Sequence, residues 1–243
     1  MVTRSGFRAL PLTVIVGGIA TLACAHPVPP PEQEEASFSF DSPESTAGRG
    51  ISIAIIQPAR SDRLKESIGS GTEFDLGVRM RSAIGRSTYE YFTASGFTVS
   101  GPYKSVDDMT FPEKKQADLV LTVEYDLVPS APSASTEPAA GGRTRYSARG
   151  NCTMAGGVSF VLWEPLSKQR MWSKTAEVEA QRVDCSQETY DADTYNITLS
   201  NSLTGVYEEG FQELMETMVR YFDPEEVKLV KQQSLELRER KVY

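Results

Sequence analysis

The run Leu119-Val120-Leu121-Thr122-Val123-Glu124-Tyr125-Asp126-Leu127-Val128, closed by Pro129, decides the fold. Leu119, Leu121, Val123, Tyr125 and Leu127 alternate with Val120, Thr122, Glu124, Asp126 and Val128. That period of two is the signature of a β-strand with one face in a core. Downstream, 130–142 is low-complexity Ser, Ala, Pro and Gly and reads as a loop. Two long strands are then predicted, over about 144–163 and 170–184, joined near Pro165 to Gln169. A turn centred on Ser167-Lys168 sets Trp163 directly across from Trp172, an aromatic pair worth roughly 0.5–1 kcal/mol beyond burial. The same register sets Cys152 opposite Val183, two residues short of Cys185. Bridging the cysteines then requires fraying or a bulge at the hairpin's open end, for which Gly156-Gly157 is the candidate.

Beyond a polar, acidic stretch at 186–200, Leu203, Val206, Phe211, Leu214, Met215, Met218 and Phe222 form a helical apolar stripe. Asp223-Pro224-Glu225-Glu226 starts another helix, with Asp as N-cap and Pro at its first position. It ends in Arg238-Glu239-Arg240-Lys241, which reads as solvated. Upstream of the deciding strand, Ser105 to about Gln116 is predicted as one short helix and Phe97-Thr98-Val99 as a short strand. Thr72-Glu73-Phe74-Asp75 resembles a capping box opening a helix that carries Phe74, Val78, Ile84, Tyr91 and Phe92, with Gly96 just past its end. Ile51 to Ile56 is a first strand stopped by Pro58, and 59–71 is a polar loop. This order predicts an α+β single domain over 50–243. Its mixed β-sheet of about five strands includes a long hairpin and is packed by an N-terminal helix and a long C-terminal helix pair.

Composition narrows the function classes. The chain has 243 residues, 40% hydrophobic and 24% charged, which suits a folded domain rather than a disordered chain. Formal net charge is −8, so nucleic acid is not an expected partner. His26 is the only histidine and lies in a Pro-rich stretch, which argues against His-dependent catalytic or metal sites. No Gly-rich phosphate loop, metal-ligand cluster or nucleophile elbow is recognisable. Asp107-Asp108 with Glu113, Glu208-Glu209 and Glu225-Glu226 read as solvated faces and caps. No enzyme, cofactor or metal is expected.

The first residues speak to location. Arg4 and Arg8 precede an apolar stretch from Ala9 to Ala23, the size of a secretory h-region. It ends Leu22-Ala23-Cys24, which resembles a bacterial lipobox, so 1–23 is expected to be a lipoprotein signal peptide and Cys24 the lipidation site. Cleavage before Cys24 leaves 220 residues with a formal charge of −10. Residues 24–49, rich in Pro, Glu and Ser, read as a flexible tether, with Ser37-Phe38-Ser39-Phe40 a candidate short edge strand. Ala25 after the modified cysteine implies, by likeness to other lipoproteins, export to the outer membrane. With Cys24 set aside, Cys152 and Cys185 are an even pair in an oxidising compartment, which predicts one disulfide.

Residues 107–116, Asp-Asp-Met-Thr-Phe-Pro-Glu-Lys-Lys-Gln, followed by the alternating strand to Val128-Pro129, resemble the neuraminyllactose-binding haemagglutinin-like lipoproteins. The strand running into Leu162-Trp163-Glu164-Pro165 and the terminal helix pair are similar too, so the resemblance spans about 51–241 in element order. It implies an outer-membrane lipoprotein acting as an adhesin or flagellar sheath component, with a protein or glycan partner. The stretch proposed for sialic-acid binding in that family is dense in Lys and Arg. Here the corresponding stretch offers only Arg143 and Arg145, the candidate ligand-binding pair. The alternative expectation is a periplasm-facing lipoprotein that assists envelope assembly or activates an envelope enzyme.

Overall fold

The structure, a computed structural model, describes residues 36–60 and 72–241. The leader, Cys24 and His26 lie outside the described residues, as does the residue before the helix that begins at Thr72. The chain runs β1 (Ser52–Ile56), β2 (Ala59–Arg60), α1 (Thr72–Ala94), β3 (Thr98–Tyr103), α2 (Phe111–Gln116), β4 (Leu119–Tyr125), β5 (Val128–Ser130), β6 (Ser133–Pro138), β7 (Thr144–Arg149), β8 (Asn151–Trp163), β9 (Arg170–Asp184), β10 (Gln187–Thr189), α3 (Ala192–Tyr221) and α4 (Pro224–Arg240). It is an α+β domain with a long C-terminal helix pair, as expected, but its sheets are larger than the five strands predicted. Seven strands form one mixed sheet around the path β3-β1-β4-β8-β5, with β2 on β4 and β9 on β8. A second sheet, β10-β7-β6, adds three more.

Strands β3, β1, β4 and β2 are parallel; β8 runs antiparallel to β4. The inward residues of the deciding strand, Leu119 through Leu127, are all buried. One face of the sheet carries the main core, closed by α1, α3 and the start of α4. Phe222, at the α3–α4 corner, stands 5.0 Å from Phe92, 5.5 Å from Phe160 and 4.9 Å from Trp172 by ring centroids. On the other face a smaller cluster of Ala54, Ile56, Met109, Ala117 and Val120 is covered by 104–117. That segment is not the single helix expected. A short 3₁₀ turn capped by Ser105 precedes α2, whose own capping box pairs Thr110 with Glu113.

Helix α1 ends as predicted at Gly96, φ +86°. Phe97 N–H reaches the Phe92 carbonyl, Gly96 N–H reaches that of Thr93, and the Phe92 and Phe97 rings meet at 5.1 Å. Those two bonds and the apolar contact make a Schellman stop. Leu76, Met80, Ala83, Ile84, Tyr91 and Phe92 face the core, but Val78 does not.

The hairpin register differs from the simple two-fold count because the turn is centred on Leu166-Ser167, one residue earlier than assumed, and two irregularities follow it in β8 and β9. Trp172 faces Leu162, and Trp163 faces Arg170 after a shift at Leu162/Trp163. The tryptophans therefore lie on opposite faces and are not a pair. A second shift at Met154/Gly156 restores the count, so Cys152 does face Val183. The ladder does not fray there. It continues through β7 and β10, with Ala148 opposite Gln187 and Tyr146 opposite Thr189. Part of the low-complexity stretch expected to be a loop forms β6 on β7, and part of 186–200, read only as polar and acidic, forms β10 and the first turns of α3, with Asp191 as N-cap. Cys152 and Cys185 are bonded, Cα to Cα 5.7 Å, diagonally across the junction of the two sheets at Gly150. The bridge closes a separation of 33 residues, which the chain-entropy model values at about 3–4 kcal/mol. Replacing both cysteines by alanine is expected to lower the melting temperature by about 10 °C, at about 2–4 °C per kcal/mol for this size. Two alkylatable thiols in the oxidised protein would refute the bridge.

The described part of the tether expected over 24–49 packs on the domain. From Ala36 the chain lies on the α1–α3 face as a strap, without the edge strand suggested for 37–40. Phe38 is 6% exposed and meets Phe211 edge-on at 5.8 Å. Ser37 N–H donates to Glu208, Arg79 to the Ala36 carbonyl and Arg86 to that of Phe38. Further on, Ser45 N–H bonds the Ala94 carbonyl and Gly48 N–H that of Ser95. Composition missed this because two phenylalanines among serines suffice once a groove receives them. Phe38→Ala is expected to remove about 3 kcal/mol of local stability, raising amide exchange and protease cleavage over 37–48 roughly a hundredfold. Unchanged exchange in that variant would show that Phe38 does not hold the strap.

Candidate functional site

The structure places Arg145 on the second sheet and Arg143 just ahead of it, away from any concavity described. Arg145, on β7, is ion-paired with Glu137 of β6 and stands 3.5 Å from Glu188 of β10. The Arg145 guanidinium holds the Glu137 carboxyl below the usual carboxylate range. An incoming carboxylate must therefore compete with two resident ones for this side chain. Arg143 is exposed at the start of β7. The Asp107, Asp108 and Glu113 group is likewise local: Asp107 pairs with Lys168, Asp108 with Ser105, and Glu113 with Thr110 and Tyr103. Among the described residues no His, Cys, Asp and Glu group could hold a metal ion, and no helix is long and apolar enough to cross a membrane.

Among the described residues a cleft of about 600 Å³ lies between α1 and the C-terminal ends of β1 and β3. Its position follows from topology. The chain leaves β1, crosses through α1 to β3 on one side, then passes through α2 to β4 on the other side of β1. Strand order therefore reverses at β1. In open parallel sheets the ends of such strands splay apart and leave a crevice. Pro58 closes the end of β1 and Gly101-Pro102 that of β3. Gly101 has φ +102°, and a side chain there would come within 2.5 Å of the Ile55 carbonyl oxygen, so only glycine permits the approach.

A single stripe of α1 forms the opposite wall: Val78, Arg81, Ser82, Gly85, Arg86 and Tyr89, with Glu90 beside it. Gly85 faces Pro58 closely; a β-carbon on it would stand 3.2 Å from the proline ring. Val78 and Tyr89 remain 49% and 37% exposed. Arg81 donates through Nε to the Pro58 carbonyl at 2.7 Å. Arg60, at the end of β2, lies against Gly77, and its Nε is buried without a hydrogen-bond partner. Burial raises the Tyr125 phenol above its ordinary range, while the charges of Arg60 and Arg81 pull it back down. Sequence reasoning missed this site because it assigned Val78 to the core. The available signal was a second stripe at 78, 82, 85 and 89, carrying small and apolar residues away from the buried one.

At the other end of the sheet, Glu164 is fully buried. Its carboxylate accepts from Leu166 N–H, Ser167 N–H and, at 2.8 Å, from Arg238 Nε of α4. Burial alone would raise its pKa; the bonds from Ser167, Leu166 and Arg238 outweigh burial and hold it below the ordinary glutamate value. Arg238 also donates to the Ala117 carbonyl at 2.7 Å. It is not the solvated end-charge expected but a fastener between α4, the start of β4 and the β8–β9 turn.

The architecture defines a class: an α+β domain with a parallel core, an appended antiparallel hairpin and a closing helix pair. No family model matches the chain, and no curated protein does. Among solved structures, a neuraminyllactose-binding haemagglutinin homologue from Helicobacter pylori shares this fold, with TM-score 0.60, 12% identity, and 81% of this chain and 98% of that one covered. A DUF330 protein from Xanthomonas campestris matches at TM-score 0.37 and 11% identity, covering 82% of this chain and 96% of its own. A Neisseria meningitidis lipoprotein matches at TM-score 0.29 and 15% identity, covering 54% and 83%.

Proposed function

We propose that this protein is a lipoprotein held in the outer membrane through Cys24, acting without catalysis as a binding or coat protein of the envelope surface. The observation that carries the reading is the leader ending at Leu22-Ala23-Cys24 ahead of a domain whose fold matches nearly the whole of a chain described as a neuraminyllactose-binding haemagglutinin homologue. The strap adds a constraint. Only 25–35 separate the proposed anchor from the first described residue, so the domain hangs at most about 40 Å from the bilayer at full extension. A lipid-bearing residue supplies several acyl chains, enough for stable attachment. The acidic domain itself would be repelled by anionic headgroups. Sialic acid is not assigned to Arg143 and Arg145, because Arg145 is already paired.

Cys24→Ser is expected to abolish incorporation of labelled fatty acid and to move the protein from the detergent to the aqueous phase. A substituted protein that stays in the detergent phase with label would overturn the anchor. Protease shaving of intact cells tests the orientation: cleavage of the wild type supports the surface reading, and protection places the domain in the periplasm.

A further inference from the structure

We propose that the cleft between α1 and the ends of β1 and β3 binds a small amphipathic anion, its acidic head on Arg81 and Arg86 and its apolar body against Pro58, Val78, Tyr89 and Pro102. Three observations converge on it. The volume, about 600 Å³, falls in the range of roughly 300–1,000 Å³ that takes small molecules. Val78, Tyr89 and Pro102 of the lining stay exposed although the same helix buries a complete second stripe in the core. The charge is of the wrong sign for the rest of the molecule: two arginines against one glutamate, Glu90, line a cleft in a chain of net charge −8, with Arg60 behind them at Gly77. A positive concavity in a negative protein concentrates anions at that place.

The arginines are also held in place before any ligand arrives. Arg81 is fixed by the Pro58 carbonyl and Arg86 by that of Phe38, at 2.7 and 3.1 Å. Each bond uses one donor of a five-donor fork, the group suited to a carboxylate or phosphate. Fixing the side chains beforehand lowers the ordering cost of binding. Because Arg86 also fastens the strap at Phe38, an occupied cleft and a seated strap draw on the same side chain.

The test uses the full chain carrying Cys24→Ser, so that no acyl group of its own can enter the cleft. Dodecanoate, dodecyl phosphate and dodecanol are titrated below their aggregation limits by calorimetry, with the site mapped by amide chemical shifts. Both anions are expected to bind and to shift the amides of Val78, Ser82, Gly85 and Gly101. Dodecanol is expected to bind at least tenfold more weakly. Arg81→Gln with Arg86→Gln should cut affinity for the anions at least tenfold and leave dodecanol unchanged. Ser82→Trp, at an exposed position, should fill the cleft and abolish binding of all three, with circular dichroism confirming that each variant is folded. The relative strength of dodecanoate and dodecyl phosphate identifies the preferred head group. Absence of binding by either anion, equal binding of dodecanol, or undiminished binding to Ser82→Trp overturns the proposal. None of these readouts depends on membrane retention, so the cleft and the anchor stand or fall separately.

Discussion

Gly156→Ala is expected to lose about 4 kcal/mol of stability, a large fraction of the roughly 5–15 kcal/mol that holds a typical domain together. Gly156 has φ +156°, in the region that disfavours side chains. A β-carbon there would stand 2.6 Å from the carbonyl carbon of Asp126, closer still to its oxygen, and 3.1 Å from the Leu127 Cα. These are backbone atoms of the link between β4 and β5, where Asp126 N–H bonds the Gly157 carbonyl. They cannot swing aside as a flexible side chain would. Backbone strain of roughly 1–3 kcal/mol adds to an overpacking cost of similar size. The link must then leave β8, taking with it the pairing of Val128 to Ser130. Urea melts of the variant check this, and a midpoint within error of the wild type would show that the bulge tolerates a side chain. Gly157→Ala is the comparison. A β-carbon there would come no nearer than 3.4 Å to the Ala176 carbonyl oxygen, so its loss should be much smaller.

The second large effect is expected at Arg238. Arg238→Met keeps most of the side chain's length but leaves Glu164 charged, fully buried and short of its cation. Breaking a buried pair in this way costs roughly 3–5 kcal/mol, and the low end applies here because two backbone N–H groups still reach the carboxylate. The pH dependence has a definite sign. The folded-state pKa of Glu164 is lowered, so its contribution is fully present above the unfolded glutamate value, near 4.3. That contribution disappears as pH falls through the lower folded value. The gap between wild type and Arg238→Met should accordingly be widest at neutral pH and narrow in acid. A gap independent of pH between 3 and 7 would assign the loss to packing of the arginine stem instead.

How far the sequence reaches can be judged from these two residues. Both were visible as letters, Gly156 as a bulge candidate and Arg238 as part of a charged end, but their partners were not. The inward face of β4 was legible because alternation over nine residues fixes a face irrespective of what lies across it. The hairpin register was legible only at the open end, at Cys152 and Val183, where two shifts of the same sense make up for a turn centred one residue earlier than the count assumes, and it failed nearer the turn, at the tryptophans. Nothing in Leu162-Trp163 marks the first shift. Strands β6 and β10 were hidden for a different reason. Ser133 to Pro138 is wholly exposed, so no hydrophobic pattern records it, and its conformation comes from pairing with β7. The strap failed on composition and α1 on a single residue, Val78. That one misplacement concealed the cleft, because a helix assigned one apolar face was not searched for another.

The separation of the two tryptophans has an optical consequence. Trp172 lies against Phe222 in the main core and donates to Glu226, while Trp163 packs on the small cluster and donates to Thr122. The emission of the protein is therefore the sum of two chromophores on opposite sides of one sheet. Trp163→Phe and Trp172→Phe each leave a single fluorophore. One reports on the helical layer and its corner at Phe222, the other on the thin covering formed by 104–117. If that covering detaches before the helices do, the two signals will part during a melt, and the interval between them measures the cooperativity across the sheet.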